Sequence, residues 1–396
     1  MFGWISQTIA VILLGVRTIP RRLGSSAVAV IGVAGVVIVF VAVLSIAEGF
    51  RAAVADAGSP ANALVMRSGA DSEMTSGLGG PEADLIKQAP GVLRADNRPV
   101  ASAELYVIVD LPKRTTGTTA NVPLRGVESS ALQVRDHLKV TEGRMFQFGT
   151  NEAIVGQGAN RQFTGVDLGS EFKSGQLTLK IVGIFTSGGS VAETEVWCDA
   201  HVVQGIYRRG NSYQSVLAKL ESPASFDTFR NSLTTNPQLD VQVRRESDYY
   251  AAQSTVMTSI IQGIGVTVAL LMGVGAVFGA ILTMYTAVST RTREIATLRA
   301  LGFNTFSVIV SVLTESLALG AIGGLIGGLA AYVAFNGYQT STMNFQTFSQ
   351  VAFAFRVTPQ LLGLGLTYSL LMGLVGGLLP AIRAARLPIP SALREL

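Results

Sequence analysis

The residues able to do chemistry are few and scattered. Two histidines, His137 and His201, and one cysteine, Cys198, leave no room for a His- or Cys-rich metal centre or an internal disulfide. His137 beside Asp136 reads as a surface pair rather than part of a triad. Asp167, Glu171, Glu193 and Glu195 read as carboxylates on a solvated face rather than as an acid–base or metal pair. The run Ser187-Gly188-Gly189-Ser190 lacks the helix that a phosphate-cradling loop opens onto. A Walker A loop needs Gly-Lys-Ser/Thr, yet the six lysines all lie between Lys87 and Lys219 and none follows a glycine. The expected catalytic and metal-ligand sets are therefore empty.

The densest motif is Arg-Thr-Arg-Glu-Ile-Ala-Thr-Leu-Arg-Ala-Leu-Gly at 291–302. Ile295, Leu298 and Leu301 recur at i, i+3 and i+6, which predicts one apolar face of a short helix. Arg291, Arg293 and Arg299 lie mostly off that face, and Gly302 is a natural stop. The plain alternative is a positively charged loop that only fixes topology.

The elements that must position this motif follow from where charge is missing. Only 14% of the 396 residues are charged and 48% are hydrophobic, against about 25% charged in a typical soluble protein. No charge occurs over 23–47, 249–290, 316–355 or 357–382. Each gap holds the roughly 20 apolar residues that cross a bilayer as a helix. Spans are expected at 25–47, 262–286, 306–334 and 360–381. Arginine sets the orientation. Arg17, Arg21 and Arg22 precede the first span, Arg291, Arg293 and Arg299 join the second to the third, and Arg383, Arg386 and Arg394 follow the fourth. Both termini and the 287–304 connection are thus expected in the cytoplasm, with residues 48–250 and the short 335–359 loop outside. The net charge of +4 is then a topology signal, and no nucleic-acid partner is expected. The apolar run 4–16, with Trp4, reads as an interfacial helix within a cytoplasmic 1–24 leader.

Residues 48–250 read as an α+β domain, with strands expected at 62–66, 99–109, 121–127, 152–156, 177–185, 194–198, 214–220 and 240–245. Helices are expected at 81–89, 129–136, 157–163, 200–208 and 223–233. The Gly- and Ser-rich 68–80 stretch reads as a flexible loop, and 145–212 as an inserted subdomain. From Ser247 to Arg291 no proline occurs, so one helix, a 251–286 stalk and span, can run from the domain through the bilayer. The fold class is an α-helical membrane protein with four transmembrane helices plus a large α+β extracytoplasmic domain between helices 1 and 2.

Within the spans, Gly320, Gly324 and Gly328, and likewise Gly275 and Gly279, are spaced for close helix approach, within one chain or between two. Glu315 is an acid inside a span. A structural hydrogen bond to a neighbouring helix is favoured for it over proton transport.

In this four-span setting the chain resembles the MacB/FtsX-type permeases of ABC transporters. That family carries a pattern R-x-R-E-I-x-x-L-R-A-x-G between spans two and three, matched by Arg291, Arg293, Glu294, Ile295, Leu298, Arg299, Ala300 and Gly302. The family's acid early in span three is matched by Glu315, its Gly-rich run by 320–328, and its closing pattern by Pro380–Arg386 and Pro390–Arg394. The segments Glu142–Arg144, Asn151–Gly156 and Leu179–Phe185 are similar to the family's periplasmic core. The resemblance implies that Arg291, Arg293, Glu294, Leu298, Arg299 and Gly302 form a coupling helix seated on a separate ABC ATPase, which binds the ATP and Mg. It implies a second permease chain, as homo- or heterodimer, and a periplasmic adaptor or membrane-fusion protein as a further partner. The implied activity is mechanotransmission in the cell inner membrane, for efflux of a periplasmic substrate or for lipid or lipoprotein extraction. The alternative is an FtsX-like regulator that activates a cell-wall hydrolase without transport. A ligand-binding receptor fits the topology but leaves 291–302 unexplained.

Overall fold

The structure is a computed structural model and describes residues 23–386 and 388, apart from 56, 176 and 345–347. The expected interfacial helix at 4–16 and the closing residues Pro390–Arg394 lie outside the described residues. The chain divides into two compact units, one built from 49–259 with 339–354 and one from the rest.

The helical unit draws on four helices long and apolar enough to cross a membrane. They are α1 (Leu23–Ala55), α2 (Glu246–Ser289), α4 (Thr305–Phe335) and α5 (Pro359–Ala385), with the short α3 (Thr292–Ala300) between α2 and α4. With no proline in its interior, α2 runs unbroken through Gly263 for 44 residues, roughly 66 Å at helical rise. Glycine decides how α4 packs. A Cβ on Gly320 would lie 2.8 Å from the Ser369 carbonyl oxygen of α5, and one on Gly324 would lie 2.1 Å from Ser369 Oγ. A second stripe, Gly323 and Gly327, meets α1 at Val33 and Ala34 just as closely. In return, Gly373 of α5 lets Ser316 Oγ donate to its carbonyl oxygen at 2.6 Å. Bare backbone on two faces thus lets α4 sit against two neighbours at once.

The other unit is built on a ten-stranded mixed sheet. Its strands are β1 (Asn62–Arg67), β2 (Ala101–Pro112), β3 (Thr119–Val127), β4 (Lys139–Gly143), β5 (Glu152–Gly156), β6 (Glu171–Ser174), β7 (Leu177–Thr186), β8 (Val196–Asp199), β9 (Ser215–Lys219) and β10 (Val241–Arg245). Their order is β10-β1-β9-β2-β3-β8-β5-β7-β4, with β6 on β7. β3–β8 and β5–β7 are parallel and the other pairs antiparallel. Strand β2 divides its pairing: Ala101–Glu104 pair with β9, and Leu105–Pro112 pair with β3. The strands that fall within 145–212, β5 to β8, join the same ten-stranded sheet as those on either side of them in sequence. Strands β4 and β6 were not expected. Their sequences, KVTEG and EFKS, are mostly polar, the first mostly exposed and the second exposed at every other residue, which hides strand periodicity in the apolar pattern. The expected 68–80 loop contains a 3-10 turn, Glu73–Thr75, with Glu73 buried.

The expected 335–359 loop is likewise a hairpin, β11 (Gln339–Asn344) with β12 (Ser349–Ala354). Val351 and Phe353 are buried, and the ring of Phe353 meets Phe50 edge-on at 5.6 Å. Asn121 Nδ2 donates to the Phe348 carbonyl at 2.7 Å, and Asn344 Nδ2 donates to Gln253 Oε1 at 3.2 Å. The hairpin belongs to the α/β unit although its flanking helices do not.

Candidate functional site

The 291–302 motif folds as α3, and its ends show why. At the C-terminus the Gly302 N–H donates to the Arg299 carbonyl and the Phe303 N–H to that of Leu298, with Gly302 at φ 90°. This is a Schellman stop, which needs the left-handed residue that glycine supplies cheaply. Asn304 then caps α4 by accepting the Phe306 N–H.

The predicted apolar face is divided. Ile295 is buried among Ala29, Met284, Val288, Val308 and Val312, whereas Leu298 is half-buried and Leu301 is 72% exposed. At 100° per residue, i+6 lies about 120° around the helix from i, so Ala296 takes the second buried place. The exposed surface of α3 is Arg293, Glu294, Thr297, Ala300 and Leu301, with Arg299 half-buried.

Arg291 faces inward. Its Nη1 lies 3.0 Å from Glu315 Oε2, and the two side chains are 12% and 7% exposed. Two residues that the sequence placed in different roles therefore form one ion pair between the start of α3 and the interior of α4. Nearby, Arg383 stacks over Tyr285 at 5.2 Å, beside a cavity of about 270 Å³ lined by Thr286, Val288, Ser289 and Thr292.

Gly320, Gly324 and Gly328 all meet α5, Gly328 through Leu362. Gly275 and Gly279 are exposed and meet no atom within 4 Å among the described residues. Tyr368, which the sequence did not single out, donates to the Ala269 carbonyl at 2.7 Å, passing where a Cβ on Gly273 would lie 2.0 Å from its hydroxyl.

A second polar centre went unseen in the sequence. Arg125 of β3 is fully buried and makes five hydrogen bonds to Glu73, Glu104 and Glu195, at 2.7–3.1 Å, as many as a guanidinium has N–H groups. Arg135 also binds Glu104 and lies 3.9 Å from Glu246, the first residue of α2. Trp197 Nε1 donates to Glu195 at 2.7 Å. The one available signal was a lone arginine inside the apolar run of β3. Glu195, expected on a solvated face, is instead buried against Arg125 in this centre, and Glu193 accepts the N–H groups of Ser187 and Gly189. That serine–glycine turn already holds an anion of its own chain. Asp136 pairs with Lys219 at 2.7 Å and lies 4.0 Å from His137. No group of three metal-ligating side chains occurs among the described residues.

Burial alone would push the Glu104 carboxyl upward, but Arg135 and Arg125 outweigh it and hold the group below its ordinary value of 4.5. A depressed folded-state value means stability that is present above 4.5 and lost as pH falls through the lower, folded value. Trp197 fluorescence is therefore expected to stay native at neutral pH and to report unfolding only on acidification below 4.5. A native signal that persists through strong acid would contradict this.

Residues 26–236 match the MacB-like periplasmic core domain, and residues 266–389 match the FtsX-like permease C-terminal domain. The macrolide export ATP-binding/permease protein MacB of Azoarcus sp. (strain BH72) is 26% identical over 399 residues, 94% of this chain and 57% of that protein. The chain thus spans little more than half the length of this curated relative. The uncharacterized ABC transporter permease YknZ of Bacillus subtilis (strain 168) is 32% identical over 146 residues, 36% of this chain and 32% of that one. Among solved structures, the periplasmic region of MacB from Actinobacillus actinomycetemcomitans aligns with a TM-score of 0.37 at 12% identity, over 52% of this chain and 94% of that one. With more than half of its length inside the periplasmic-core match and most of the remainder inside the permease match, this chain belongs to the MacB/FtsX-type family of ABC transporter permeases.

Proposed function

We propose that the chain is the membrane subunit of an ABC transporter complex and that it carries force rather than forming a polar channel. Its four apolar helices cross the cell inner membrane, with the termini and α3 in the cytoplasm and the α/β domain in the periplasm. An ABC ATPase, which supplies the ATP and Mg chemistry, seats on the exposed side of α3 through Arg293, Glu294, Leu298 and Arg299. A second permease chain packs on the open α2 face at Gly275 and Gly279. Closure of the ATPases then moves the α/β domains, for efflux of a periplasmic substrate through an adaptor or for lipid or lipoprotein extraction.

The observation that carries this reading is α3 itself: a capped nine-residue helix, anchored by Ile295 and Ala296, that presents charge and Leu301 outward. The ion-paired state of Glu315 also favours a packed interior over a charged conduit. The double substitution Arg293→Glu with Leu298→Asp is expected to abolish co-purification with the ATPase while membrane insertion is kept. Undiminished co-purification would overturn the seat. A wild-type complex that activates a cell-wall hydrolase and moves no substrate would instead place the chain with FtsX-like regulators.

A further inference from the structure

We infer that the Arg291–Glu315 ion pair braces α3 against α4 as one rigid body, which makes Arg291 a positioning residue rather than a contact for the ATPase. The inference deepens the proposed function and rests on it for the source of the load.

The geometry is that of a closed triangle. From Arg291 to Leu301 the chain runs ten residues to the 301–304 turn, and from Thr305 it runs ten more up α4 to Glu315. Each arm is about 15 Å at helical rise. The apex holds Gly302, at φ 90°, where the backbone is least restricted. Left open, such a V bends at its apex when α3 is pushed. The ion pair ties the two tips at 3.0 Å and closes the third side.

A second tie between the arms, among the described residues, is Ile295 packed in the apolar cluster with Val308 and Val312. Apolar contact is non-directional, so it resists separation but not sliding. A charge-assisted hydrogen bond between the half-buried Arg291 and the buried Glu315 is directional and fixes register. Separating the pair would give up a charge-assisted contact at a site where water has little access to Glu315, so the closed arrangement is favoured. A nine-residue helix is also too short to hold its shape alone. Pushes on Arg293, Glu294 or Leu301 therefore reach α4 without being lost at Gly302.

Hydrogen exchange tests this on the full chain in detergent, with or without an ATPase. Glu315→Gln is expected to speed exchange of the 292–300 amides by about tenfold or more, while the α/β sheet is unchanged. The swap Arg291→Glu with Glu315→Arg is expected to bring the rate back to near wild type, a rescue that a purely steric role would not give. Unchanged 292–300 exchange in Glu315→Gln, or no rescue by a swap variant that is folded and monodisperse, would overturn the brace. In complex with the ATPase, Glu315→Gln is expected to retain co-purification but to confine ATP-dependent exchange changes to α3, whereas wild type shows them in α3 and α4 together. Changes that still reach α4 undiminished in Glu315→Gln would also overturn it. Absence of any ATP-dependent change in wild type would count against the proposed function, and the exchange and rescue measurements on the chain alone would still decide the brace.

Discussion

Arg125→Met is expected to cost the α/β domain about 4 kcal/mol, the largest single-residue effect anticipated for the chain. The substitution is close in volume and leaves no large cavity, so the loss is electrostatic. Without the guanidinium, Glu73, Glu104 and Glu195 stay enclosed, and among the described residues only Arg135 of the remaining cations reaches one of them, Glu104. Uncompensated buried carboxylates are costly because burial removes solvation that nothing then replaces. Domain stabilities are about 5–15 kcal/mol, so a loss of this size brings the fold near its limit. Urea unfolding followed by Trp197 fluorescence measures it, since Trp197 is fully buried and bonded to Glu195. Adding Glu73→Gln and Glu195→Gln to the variant should recover part of the loss by removing charge that has no partner. A change under about 1 kcal/mol would mean that the arginine does not hold the seam where β2 passes from β9 to β3.

Gly320→Val should lower the thermal midpoint of the helical unit by roughly 5 °C, whereas Gly275→Val should leave it nearly unchanged. Both glycines belong to the same sequence pattern, but their surroundings differ. A Cβ on Gly320 meets the backbone oxygen of Ser369 at 2.8 Å, and a carbonyl in a packed helix has little freedom to retreat. At Gly275 the space is open, and valine is slightly the better helix former. Size-exclusion measurements separate the two roles. Under the proposed chain-to-chain packing on α2, Gly275→Val weakens the dimer without unfolding the monomer. A lowered midpoint for Gly275→Val, or an unchanged one for Gly320→Val, would refute the assignment of these two surfaces.

How much could be read in advance depended on the strength of each local signal. The four long helices were legible because a charge-free run of their length has few other uses. The interior strands of the α/β domain were legible from dense apolar residues between turn signals, and the short α3 from its apolar spacing and its Gly302 stop. Edge strands β4 and β6 were not, because they are short and carry mostly polar residues. The hairpin β11–β12 lies in an uncharged stretch whose composition reads as a loop, although Ser349, Val351 and Phe353 alternate inward. Pairing was beyond reach. Arg291 and Glu315 were each conspicuous, but only the fold of α3 back along α4 shows that one neutralises the other. The same holds for Arg125, whose three carboxylates lie 52, 21 and 70 residues away in sequence.

The hairpin has a consequence for chimeras. Because 339–354 belongs to the unit otherwise formed by 49–259, the α/β domain is encoded in two separated blocks. Exchanging 49–259 alone with a relative would set a foreign β3 and a foreign partner for Phe353 against the host's β12. The Asn121 and Gln253 contacts would be left to chance. A graft that carries both blocks together moves the whole domain, so specificity swaps between family members call for paired cassettes rather than one.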